Sequence, residues 1–178
     1  MKITTEEMIR MDTVHSVARR MLTAARTAPK AKGVDNLKLA MITGTDIEVM
    51  ALKMEEIGRR GEGIPNFLRD AGNIRKAQAV LLLGTRIKSQ GAKFCGRCGF
   101  KDCEEKDQHP DFPCTFNSGD LGIAIGSAVS LAMDNRVDNR VMYTIGVAAL
   151  ELKILGEEVK IAFGIPLSVS SKSPFFDR

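Results

Sequence analysis

All four cysteines of this chain lie between residues 95 and 114, spaced Cys95-x2-Cys98-x4-Cys103-x10-Cys114. Thiolate sulfur is a soft ligand that selects zinc, copper(I) or iron–sulfur centres. Structural zinc prefers two separated C-x2–4-C pairs. Here three cysteines crowd into CGRCGFKDC, with Gly96 and Gly99 directly after the first two, and the fourth stands apart behind Pro113. Ligands that arrive from several directions suit a cubane, and the glycines let backbone N–H groups approach the sulfurs. The spacing favours a 4Fe–4S cluster on Cys95, Cys98, Cys103 and Cys114. Zinc is the alternative, and a redox dithiol in Cys95-Gly-Arg-Cys98 stands behind both. His109 is a further possible ligand but reads as a solvated loop residue, since four sulfurs already complete a set.

The rest of the chain must position that loop. Its 178 residues are enough for one domain with a substantial core, and 1–178 reads as a single unit. Hydrophobic residues make up 44%, but aromatics are only eight Phe and one Tyr, so the core falls to Leu, Ile, Val, Ala and Met. A net charge of +4 without any Lys/Arg tract argues against a nucleic-acid partner. The N-terminus, MKITTEEMIRMDTVHSVARR, has no apolar leader. The longest apolar run, Leu121 to Met133, is broken by Gly and Ser and falls short of the roughly 20 residues of a membrane span. The expected location is the cytoplasm, where free thiols are the default.

Periodicity predicts a long first helix from residue 5 to Arg26, with Thr4-x-x-Glu7 as a capping box and Met8, Met11, Val14, Val17, Met21 and Leu22 on its apolar face. LKLAMI, Leu37–Ile42, reads as a strand. A second helix opens at Thr45-x-x-Glu48 and runs to the break RRGEGIP, and a third spans Phe67–Ala77. AVLLLG, Ala79–Gly84, reads as a strand buried on both faces. Residues 85–117 lose this periodicity and read as an inserted, ligand-organised loop. Helices are then expected over Gly119–Met133 and Asn139–Leu155, and a third strand over Val159–Ile165. Gly119, Gly122 and Gly126 form a small-residue stripe that suits close packing, in the core or across a dimer. The doubled DNRV at Asp134–Val141 reads as an inter-helix turn, with Asn139 as a cap and Arg140 as a surface charge.

Three resemblances extend this reading. CGRCGFKDC resembles the CGxCGxxxC motif of iron–sulfur electron-transfer and corrinoid proteins, with a shorter last interval in this chain. Together with DLGIAIGSAVSLAMDNRVDNRVMYTIGVAAL and GIPLSVSSKSPFFDR, it resembles a family of uncharacterised ferredoxin-domain-containing proteins. AARTAPKAKGVDNLKLAMIT, RDAGNIRKAQAVLLLG, DLGIAIGSAVSLA and VKIAFGIP are similar, in that order, to segments of nitroreductase-like flavoproteins. The last resemblance implies an α+β sandwich of a small sheet and packed helices, forming a homodimer that holds FMN at the subunit interface. It implies that Arg26, Thr27, Lys30 and Lys32 face the flavin phosphate or ring edge. It places Arg69, Asp70 and Asn73 at the isoalloxazine and ribityl chain, and Lys172 and Arg178 at the phosphate. A phosphate needs a positive fork or backbone donors, and the ring needs donors that set its potential. The N-terminal Arg-Ser-x-Arg signature of nitroreductases is missing, and Arg19 and Arg20 do not replace it.

The resulting expectation is an FMN-dependent oxidoreductase or electron-transfer flavoprotein with the cluster as a relay, supplied by a redox partner protein or a nicotinamide donor. The alternative is a non-catalytic zinc- or cluster-binding protein whose metal loop is structural and serves partner binding.

Overall fold

A computed structural model describes residues 1–60 and 64–176. Its elements are α1 (Glu6–Thr27), a 3-10 turn (Ala31–Gly33), β1 (Leu37–Ile42), α2 (Thr45–Gly58), α3 (Pro65–Ile74), β2 (Ala79–Arg86), α4 (Cys103–Asp107), α5 (Thr115–Asp134), β3 (Asp138–Asn139), α6 (Tyr143–Glu151) and β4 (Val159–Ser168). The four strands form one antiparallel sheet in the order β1-β2-β4-β3.

β2 shows how the sequence builds the layers. Side chains alternate across a strand with period two. Ala79, Leu81 and Leu83 therefore enter one core with Val14, Val17 and Met21 of α1 and Leu121, Ala124 and Ala128 of α5. Val80 and Leu82 enter the other with Met50 and Met54 of α2, Phe67 and Ile74 of α3, and Ile145 of α6. Helices thus cover both faces, which is why this antiparallel strand carries a continuous apolar run instead of an alternating one.

Glycine sets the closest contact between layers. A Cβ on Gly146 of α6 would run into the Ala162 carbonyl of β4, and one on Gly164 of β4 would run into the Ile145 side chain. The two missing side chains let α6 lie directly on β4. The tail returns to the same layer. Phe175 is fully buried there, and Arg140 holds it by donating from Nη1 to the Phe175 carbonyl at 2.8 Å while its guanidinium sits 5.0 Å over the Phe176 ring. Arg140 is thus an anchor rather than a surface charge.

Other expectations are corrected. The Thr4-x-x-Glu7 capping box does not form: Thr5 precedes α1 with no side-chain cap, and α2, which does open at Thr45, is preceded by Gly44 and likewise has none. Glu48 pairs instead with Arg75. Met8 and Met11 are exposed, because the core begins only at Val14. The second DNRV is not helical. Arg136 takes a left-handed φ of 57°, the chain turns, and Asp138 and Asn139 pair with Ser168 and Leu167 as a fourth strand. Asn139 bonds the Val137 carbonyl and caps no helix. A Cβ on Gly119, Gly122 or Gly126 would meet nothing within 4 Å, so their stripe is not core packing within the chain. No helix among the described residues is long and apolar enough to cross a membrane.

Candidate functional site

The cysteine loop leaves β2 and returns at α5. Cys95 lies in irregular chain, Cys98 in a turn, Cys103 opens α4, and Cys114 immediately precedes α5. All four thiols are free. Three are half-buried and Cys114 is 4% exposed. Gly96 and Gly99 take φ of 57° and 90°, the left-handed region that glycine enters without strain, and the Gly99 N–H donates to the Gly96 carbonyl at 3.2 Å. The Asp102 carboxylate accepts from Glu105 N at 2.9 Å, and the Glu105 carboxylate accepts from Lys101 N at 2.6 Å, which folds the short α4. His109 stacks on Phe100 at 5.1 Å, with Phe112 edge-on to both. Among the described residues, no three His, Cys, Asp or Glu side chains converge as a metal site. The donor set suits a cluster by its chemistry: four free thiols and two glycine turns in one loop.

The root of this loop is a buried polar corner. The Lys88 N–H donates to Oδ1 of Asn117 at 3.0 Å, Lys32 Nζ donates to the Gln90 carbonyl at 3.1 Å, and Arg86 N donates to the Asn36 carbonyl at 3.1 Å. Asp120 of α5 accepts from Ala31 N at 3.0 Å. Nδ2 of Asn36 and Asn117, Nε of Arg86 and Nε2 of Gln90 are buried with no partner.

The residues assigned to flavin separate into three groups. On the loop after α1, each polar side chain is engaged within the chain. Arg26 donates to Asp35 at 2.5 Å, Thr27 to the Thr23 carbonyl at 3.1 Å, and Lys30 to the Arg26 and Ala28 carbonyls, while Lys32 holds Gln90. Partial burial works to raise the Asp35 carboxyl, but the Arg26 guanidinium and Leu37 N–H hold it below its ordinary value. On α3, Asp70 is buried, accepting from the Thr144 hydroxyl at 2.8 Å and from Arg69 Nε at 2.9 Å, so the pair ties α3 to α6. Asn73 of α3 and Lys172 of the tail line one cleft, of about 410 Å³, with Lys76, Gln78, Ser168, Ser170, Ser173 and Phe176. Arg178 lies outside the described residues.

Sequence reading missed Lys76 and the three serines. The signal was present in the tail SVSSKSP, which follows β4 without apolar periodicity. Hydroxyls beside two ammonium groups fit a phosphate. Phe176 also borders a more apolar cleft of about 620 Å³, lined by Gly126, Val129, Met133, Val137 and others, large enough for a planar ring. The residues present thus fit FMN as a chemical pair of sites.

These features define a class of fold. The chain is similar to an FMN-bound nitroreductase from Desulfitobacterium hafniense, with a TM-score of 0.61 at 12% identity, over 96% of this chain and 81% of that one. It is similar to an FMN-bound nitroreductase from Bacteroides fragilis, with a TM-score of 0.61 at 11% identity over 88% and 77% of the two chains. A BluB-like flavoprotein from Clostridium difficile gives 0.54 at 17% identity over 97% and 86%. The fold is nitroreductase-like. Residues 111–178 match the family described as "uncharacterized protein containing a ferredoxin domain" (DUF2148). An uncharacterized protein of Archaeoglobus fulgidus is 41% identical over 165 residues, 89% of this chain and 88% of that protein. The chain belongs to this ferredoxin-domain family.

Proposed function

We propose that the protein is an FMN-dependent oxidoreductase or electron-transfer flavoprotein that carries a 4Fe–4S cluster on its cysteine loop. The observation that carries the reading is the pairing of four free thiols in one loop with a nitroreductase-like body. When bound, flavin supplies one- and two-electron chemistry and the cluster one-electron transfer, so the protein's task is binding, orientation and tuning. Ser168, Ser170, Ser173, Lys76 and Lys172 would hold the phosphate, and the cleft beside Phe176 would shield the ring from water. Cys95, Cys98, Cys103 and Cys114 would ligate the cluster. A redox protein or a nicotinamide would supply the electrons.

A homodimer is part of the reading. Gly119, Gly122 and Gly126 leave open space along α5, next to Ile123 at 50% and Met133 at 62% exposure. A second copy could approach closely there and cover them. Sedimentation should give twice the chain mass, and a monomer at micromolar concentration would remove this element.

One observation favours the second reading, a non-catalytic zinc- or cluster-binding protein that docks a partner. Phe94 is wholly exposed and Phe112 is 57% exposed, both on the cysteine loop. The visible spectrum and metal content of anaerobically purified protein separate the two. Flavin bands over a broad cluster shoulder support the first. A colourless protein with one zinc per chain supports the second.

A further inference from the structure

We infer that Asn117 is a positioning residue for the iron–sulfur cluster, its side-chain N–H donating to sulfur at the Cys114 corner, with Gln90 as a second donor. The inference rests on the cluster reading above. Asn117 lies in the first turn of α5, and its backbone N–H donates to the Cys114 carbonyl at 2.9 Å. Cys114 is the one buried cysteine, and Asn117 is itself 1% exposed. The orientation of the carboxamide is set by its neighbour. The Lys88 N–H can only donate, so the atom 3.0 Å from it is Oδ1, and the NH2 is left for another partner. That Nδ2 has none. Buried donors are rarely left so in folded proteins.

The unpartnered atoms at this corner share one chemistry. Asn36 Nδ2, Arg86 Nε, Gln90 Nε2 and Asn117 Nδ2 are all donors, and the single unpartnered acceptor among the described residues, Asp138 Oδ2, belongs to β3. The corner is continuous: Arg86 bonds Asn36, and the same strand exit reaches Asn117 through Lys88 and Lys32 through Gln90. Four donors with no acceptor beside them match an acceptor-only, anionic group. A cluster held by four thiolates is such a group, and Cys114, whose carbonyl accepts from Asn117 N–H, would bring it to this corner. Hydrogen bonds to cluster sulfur stabilise the more negative, reduced state and raise the potential.

The test is an EPR-monitored redox titration of full-length protein reconstituted anaerobically with ferrous iron and sulfide. Asn117→Leu removes the donor, along with the acceptor of the Lys88 N–H, and keeps the volume. Gln90→Leu makes the same test on the other donor, and remains if Asn117→Leu does not fold. Both variants keep all four cysteines and should load iron and sulfide as the wild type does. Their ratio of oxidised to reduced cluster at a fixed potential should rise about tenfold, a fall in midpoint of ~59 mV for one electron. Full loading with an unchanged midpoint in both variants would overturn the inference. A wild-type protein that assembles no cluster would instead overturn the cluster reading and take this inference with it.

Discussion

From Ala79 to Thr85 every residue is buried, whereas from Gly91 to Pro113 only Lys106 is. The first stretch is the central strand of the sandwich and the second is the cysteine loop. Side chains that interdigitate from two sheet faces hold the strand. The loop is held by an Asp102 cap, a Glu105 reach-back and one aromatic trio. Apolar burial is enough to specify the body. So polar a loop cannot fix its geometry by burial, and under the cluster reading its thiols would be gathered by the metal.

This contrast makes mutations in the body costly and mutations in the loop almost silent without metal. The largest effect is expected from Gly146→Val, whose branched side chain would meet the Ala162 carbonyl. It should yield no cooperatively folding protein by circular dichroism. Leu82→Ala, fully buried in the central strand, should lose about 2–5 kcal/mol in urea unfolding. Lys172→Glu tests the cleft rather than the core. It should leave the melting temperature of the flavin-free protein unchanged and weaken FMN binding at least about tenfold, ~1.4 kcal/mol, by fluorescence titration.

A smaller effect separates surface from core. Arg75 bonds Glu48 and Glu55 and holds both carboxyls below their ordinary values. A carboxyl whose folded pKa is depressed contributes stability above its unfolded pKa of about 4.3, and that contribution is lost as pH falls through the folded value. Arg75→Ala should therefore lower the melting temperature slightly at pH 7, with the difference shrinking as both carboxyls become protonated in acid. A difference that persisted in acid would show that Arg75 acts by packing. Phe94→Ser, on the exposed loop, should not change unfolding at all.

What could be read from the sequence follows the same division. The bounds Leu37–Ile42 were legible because LKLAMI ends at turn residues, and AVLLL announced burial on both faces. The Asp138–Asn139 strand was not, because two residues carry no period and their pairing depends on Ser168 and Leu167, about thirty positions away. Arg140 looked like a surface charge for the same reason: its partners, Phe175 and Phe176, lie in the tail. Type and spacing alone put the four cysteines in one loop, and their role as ligands is the proposal made above. The donor corner at Asn36, Arg86, Gln90 and Asn117 was not, since it is assembled from a loop, a strand end and a helix start that meet only in three dimensions.

The central claim is that loop and body carry two separate cofactors, and the iron, sulfide and flavin content of anaerobically purified Cys98→Ser tests it most directly. The expected result is a folded protein that has lost the cluster's visible absorption while retaining FMN at the wild-type ratio. Loss of both together, or a wild type that holds only zinc, would contradict it.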